Sequence, residues 1–120
     1  MLETGPEFIA GSTRMKAGTA QKAALNCLST GVTIRLSLVH RGKMVEMHPC
    51  NGKLRERAIS IVAELANCDP ASALMVLDQA GGSIKIATLM LRKSLPLAEA
   101  HSRLRLANGN LREALELVAE

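Results

Sequence analysis

The stretch Gly11-Ser12-Thr13-Arg14-Met15-Lys16-Ala17-Gly18-Thr19-Ala20-Gln21-Lys22 concentrates the side chains best suited to chemistry. Ser12 or Thr13 is a natural helix N-cap, and Arg14 and Lys16 then fall in the first turn. Cations there oppose the helix macrodipole, so a helix built for stability alone would carry Asp or Glu instead. Two cations beside free backbone N–H groups make sense where an anion is expected, and a sugar phosphate is the obvious candidate. The plainer alternative is a capped helix start with solvated cations. Ala17, Gly18, Ala20 and Ala24 are small and suit tight helix packing.

Other reactive side chains are scattered. His40, His48 and His101, with Cys27, Cys50 and Cys68, contain no C-x2-C or H-x3-H pair, so no metal site is expected. His48 and Cys50 are the nearest approach to one. Cys27 falls on an apolar helical pattern and is expected in the core. Three unpaired cysteines point to reduced thiols and a cytoplasmic location. No strand-elbow motif supports a nucleophilic triad.

The elements that must hold these groups follow from periodicity. Residues 1–11 read as an extended lead-in, because Pro6 excludes helix at Gly5. A long helix is expected from about Arg14 to about Val39, with Leu25, Leu28, Val32 and Leu36 as its apolar stripe and a kink or close contact at Gly31. Arg41-Gly42 marks a turn. Lys43 to Met47 alternates polar and apolar like one short strand, whose sheet partners would lie elsewhere. Asn51 caps a helix to about Ala66 with Leu54, Ala58, Ile61, Val62 and Leu65 on one face. Asp69-Pro70 opens another, ended by Gly81-Gly82. Ser83, Pro96 and Asn110 open three more, the last with Leu111, Ala114, Leu115 and Val118 inward.

Composition narrows the function classes. The 120 residues are 48 % hydrophobic with one Phe and no Trp or Tyr, so the core must be aliphatic and helix-on-helix packing is favoured. The charge is +4 overall but uneven. Residues 1–60 hold nine Lys/Arg against four Asp/Glu, and residues 61–120 hold six against seven. The helical second half therefore lacks the basic face of a DNA reader, and the missing aromatics disfavour base stacking. No apolar run approaches the roughly 18 residues of a membrane span, and the first residues lack the pattern of a signal peptide. No nucleic-acid or membrane partner is expected.

With its flanks, Leu2-Glu3-Thr4-Gly5-Pro6-Glu7 before and Asn26-Cys27-Leu28-Ser29-Thr30-Gly31 after, the twelve-residue motif resembles the signature of N-acetylmuramic acid 6-phosphate etherases. These are sugar-isomerase-domain proteins related to the glucokinase regulatory protein. The likeness continues through Met44-Val45-Glu46 and Asn51-Gly52-Lys53-Leu54-Arg55-Glu56-Arg57-Ala58. The run Cys50-Asn51-Gly52-Lys53-Leu54 departs from the family's Thr-Asn-Glu-Lys-Leu-like pattern by placing Gly52 where an acidic residue would favour the dipole. His48-Pro49 is also atypical.

The resemblance implies the C-terminal part of a longer chain. Its fold would be mainly α, with residues 1–50 ending a sugar-isomerase α/β domain and residues 51–120 forming a small ubiquitin-associated-like helical bundle. The family is a carbon–oxygen lyase that removes D-lactate from a cell-wall sugar phosphate without a metal or organic cofactor. Ser12, Thr13, Arg14 and Lys16 would lie at the sugar-phosphate site. The catalytic glutamates and the Ser/Thr-rich phosphate loop would lie upstream. Glu3 and Glu7 fall in the matching region, but nothing assigns either as acid or base, so no catalytic residue is expected in this chain. A homo-oligomer is expected. The alternatives are an interaction module that uses the long helix, or a sugar-phosphate-binding regulator without turnover.

Overall fold

The computed structural model describes residues 2–117, so Val118, expected on the last inner face, lies outside the described residues. The order of elements is α1 (Lys16–Arg35), β1 (Val39–His40), β2 (Lys43–Met44), α2 (Gly52–Ala66), α3 (Pro70–Gln79), α4 (Ile84–Lys93), α5 (Leu97–Leu106) and α6 (Leu111–Glu116). The protein is mainly helical, as its composition implies. It divides into two compact units between Leu36 and Ser37.

The first unit is α1 and a lead-in that, rather than being extended throughout as expected for residues 1–11, turns at Phe8–Gly11, where Ser12 N–H donates to Ile9 O at 3.1 Å. The helix starts at Lys16, later than expected, and Met15 stands at the N-cap without a side-chain cap bond. It ends at Arg35 rather than Val39, because Ser37 turns into the left-handed region at φ 57° and Val39 enters a strand. None of its twenty residues is buried. The helix runs unbroken through Gly31, where a Cβ would meet nothing within 4 Å, so neither the expected kink nor a close contact forms. Cys27 is exposed, contrary to the core position expected for it, because no element in this unit covers the helix face that carries it.

The second unit begins with the hairpin. β1 pairs antiparallel with β2, Val39 opposite Met44 and His40 opposite Lys43. The strand at Lys43 thus finds its partner within the chain, in Val39, where the periodicity places the end of the long helix, and His40. Arg41 and Gly42 supply the turn at φ 48° and 74°. Positive φ at both central residues matches the right-handed twist of a two-residue hairpin. Val45, just beyond, donates its N–H to Leu38 O at 2.9 Å and buries its side chain among the helices.

The helices follow their caps. The Asn51 side chain accepts from Leu54 N–H at 2.9 Å, and Asp69 accepts from Ala71 and Ser72 N–H at 2.9 Å each. Ser83 and Asn110 cap α4 and α6 in the same way, satisfying N–H groups that no turn of the helix can reach. Ala58, Ile61, Val62 and Leu65 are the buried face of α2, as the periodicity predicts. Helix α4 is central and packs against α2, α3, α5 and α6, so every residue from Ile84 to Leu89 is buried. Leu77, Ile84, Leu89, Leu111 and Val62 are its largest fully buried apolar neighbours and members. Gly82 sits where a Cβ would press to 3.3 Å on Pro49, which seats the α3–α4 turn against the segment before α2.

No single helix among the described residues is long and apolar enough to cross a membrane. The pair α2 and α3 reaches that composition only across a 108° bend.

Candidate functional site

The motif and its lead-in form one local arrangement in the first unit. The anion at the start of α1 is the chain's own Glu7. Its carboxylate accepts from Lys16 N–H at 3.2 and 3.0 Å and from Ala17 N–H at 3.0 Å. The cap expected from Ser12 or Thr13 is therefore supplied from nine residues upstream. Thr13 contributes its backbone carbonyl instead, accepting from Gly18 N–H at 3.1 Å. These N–H donors hold the Glu7 carboxyl below the usual 4.5, Ala17 first and then Lys16, with the Lys16 charge adding to them.

Lys16 closes the same loop from the other side. Its Nζ donates to Pro6 O at 2.9 Å and lies 4.7 Å from the Phe8 ring centroid. The structure thus brings Lys16 together with Pro6, Glu7 and Phe8. Ser12, Thr13 and Arg14 form no side-chain hydrogen bond among the described residues, and Thr13 and Arg14 are exposed. Arg14 precedes the helix rather than standing in its first turn. Sequence reasoning missed the role of Glu7. The available signal was a helix start without acidic residues that follows a glutamate in a proline-fixed segment. An open hollow of about 310 Å³ in this unit is walled by Leu2, Thr4, Ala17, Gln21, Ala24 and Leu25, and the four motif side chains are not part of it.

The second unit holds its own polar features. Lys85, which the sequence did not single out, is only 6 % exposed. Its Nζ pairs with the Glu46 carboxylate and donates to Gly109 O at 2.8 Å, joining α4 to the hairpin exit and the α5–α6 turn. His48 and Cys50 do line one hollow with Asp78, but Asp78 is engaged by Arg55 at 2.6 and 2.8 Å. Among the described residues no three His, Cys, Asp or Glu side chains converge as metal ligands would. Burial pushes the Cys68 thiol up, and the neighbouring Asp69 adds to that.

No protein-family model matches the chain. The chain is 49 % identical over 111 residues to an N-acetylmuramic acid 6-phosphate etherase of Klebsiella aerogenes, covering 92 % of this chain and 37 % of the relative. It is 46 % identical over 113 residues to the etherase of Parasynechococcus marenigrum, covering 94 % and 36 %. The etherase of Deinococcus radiodurans is 44 % identical over 115 residues, covering 96 % and 38 %. The chain thus spans little more than a third of the curated relatives it matches, as a C-terminal part would. Over nearly all of its length, this chain is related to the N-acetylmuramic acid 6-phosphate etherases.

Proposed function

We propose that this chain is the C-terminal portion of a lyase that cleaves the D-lactyl ether of N-acetylmuramic acid 6-phosphate during cell-wall sugar recycling. The observation that carries the reading is identity of 44–49 % sustained across more than nine-tenths of the chain. In this reading residues 1–50 end a sugar-isomerase domain and residues 51–120 form a ubiquitin-associated-like bundle. A cytoplasmic location goes with it. The elimination needs a base to take the sugar C2 proton and an acid to protonate the departing ether oxygen. Glu7, the one carboxylate of the motif region tied to α1, is already committed to backbone N–H groups. That occupation supports catalytic glutamates elsewhere in the complete protein and an inactive isolated chain.

Ser12, Thr13, Arg14 and Lys16 are the proposed sugar-phosphate contacts. Glu7 fills the helix end, so the phosphate would meet side chains rather than the dipole. Arg14 is the strongest of the four for that role, being exposed and without a hydrogen-bonded partner among the described residues. Two measurements test the reading. A coupled lactate assay on the isolated chain should show no turnover above the blank. In a full-length homologue, Arg14→Ala should weaken substrate binding by about 1.5–3 kcal/mol, roughly tenfold to hundredfold, if the guanidinium pairs with the phosphate. Lys93→Ala, an exposed control, should not. Turnover by the isolated chain, or unchanged binding in Arg14→Ala, would count against the respective assignment.

A second reading, an interaction or oligomerisation module, is favoured by α1 itself. Leu25, Leu28, Val32 and Leu36 are 50–65 % exposed, and contiguous apolar surface of this kind marks a partner-binding face. The two readings are compatible if the face is covered within an assembly of complete chains.

A further inference from the structure

A cleft of about 410 Å³ in the second unit is lined by His40, Arg41, Leu65, Arg92, Arg112, Leu115 and Glu116. Three guanidiniums come to it from three places: the hairpin turn, the end of α4 and the first turn of α6. None of the three is within ion-pair distance of a carboxylate among the described residues. Glu116 is the one acidic side chain on the wall. His40 is 8 % exposed and makes no side-chain hydrogen bond among the described residues.

We propose that this cleft is a binding site for a small phosphate monoester. The charge matches: three arginines against one glutamate leave +2 beside a neutral imidazole, which complements a phosphate dianion. Guanidinium forks fit phosphate oxygens two at a time, whereas a lone carboxylate would need only one of them. The volume suits a molecule of metabolite size. Leu65 and Leu115 give an apolar wall for the non-ionic part of such a ligand. Burial, then Arg41, Arg112 and Arg92, hold the His40 imidazole below its usual 6.5, so at pH 7 it stands neutral and can donate one N–H without repelling cations. This inference rests on the second unit alone and does not depend on the etherase reading.

The test is titration of the 120-residue chain with inorganic phosphate, glucose 6-phosphate and glucose, following the ring resonances of His40 by NMR. Both phosphates should move them saturably at millimolar concentration or below, and glucose should not. Arg92→Ala and Arg112→Ala, each checked for helix content, should weaken binding roughly tenfold to hundredfold. Arg57→Ala, exposed on α2, should leave it unchanged, and Glu116→Gln should tighten it by removing a like charge. Absence of a saturable shift overturns the proposal. So does equal affinity in the wild type and both arginine variants. A response to a DNA duplex with none to either phosphate would make the cleft a nucleic-acid surface and overturn it too.

Discussion

Glu7 and Lys16 show how single residues can settle a helix start that local sequence leaves open. The first turn of α1 has no acidic residue and a cation at its first position, which the dipole disfavours. Glu7 reverses that by placing its charge against the free N–H groups. Because the folded carboxyl titrates below 4.5, its contribution is fully present above that value. It is lost as pH falls through the lowered folded value. Acidification below pH 4.5 should therefore raise amide exchange at Lys16 and Ala17, and Glu7→Ala should do the same at neutral pH. Unchanged protection at both amides would show that the carboxylate does not hold the helix end. Lys85 poses the complementary case of a buried cation. Glu46→Ala should cost about 1–2 kcal/mol in urea unfolding, less than a fully buried pair because Glu46 is 45 % exposed. Lys85→Met should cost less than Glu46→Ala, since no uncompensated charge is left behind.

At the scale of elements, the second unit follows local rules closely. Asn51, Asp69, Ser83 and Asn110 each cap the helix that follows, and all four were legible because a cap needs only a short polar side chain and the next three residues. Helix α2 carries one avoidable weakness. Gly52 occupies its first position with open space around it and ordinary backbone geometry. Gly52→Glu should stabilise the unit by about 0.5–1 kcal/mol, adding helix propensity and a favourable charge near the N-terminus. The check is a higher thermal midpoint, and a lower one would mean that the position is restrained by something other than the helix. The hairpin was the least legible element. Val39 continues the apolar rhythm of α1, and only the break at Ser37 and the turn at Arg41-Gly42 divert it, with His40, into a strand.

At the scale of the whole molecule, α1 stands out for its exposed apolar face. The second unit has an aliphatic core centred on α4, while the first exposes Leu25, Leu28, Val32 and Leu36. We expect this face to be buried in a dimer or larger assembly. Sedimentation should give a multimer for the wild type and a folded monomer for Leu28→Glu. Monomers in both cases would remove the idea and leave the face to other parts of a longer chain.

The sequence by itself determined the helical class, the caps of α2, α3, α4 and α6, the buried stripe of α2 and the relationship that the comparisons bear out. These rest on short-range periodicity, on side chains that act within one turn, and on a motif preserved residue by residue. Tertiary structure alone decided that Glu7, not Ser12 or Thr13, caps α1, and that His40 pairs with Lys43 in a hairpin. It also brought Arg41, Arg92 and Arg112 to one cleft and buried Lys85 against Glu46. For Glu7, Lys85 and the three arginines the common reason is distance along the chain, whereas the hairpin turns on the backbone angles at Ser37, Arg41 and Gly42. Those remote contacts are set by how separate segments pack, and the type of a residue fixes its charge and size but not which remote partner will reach it.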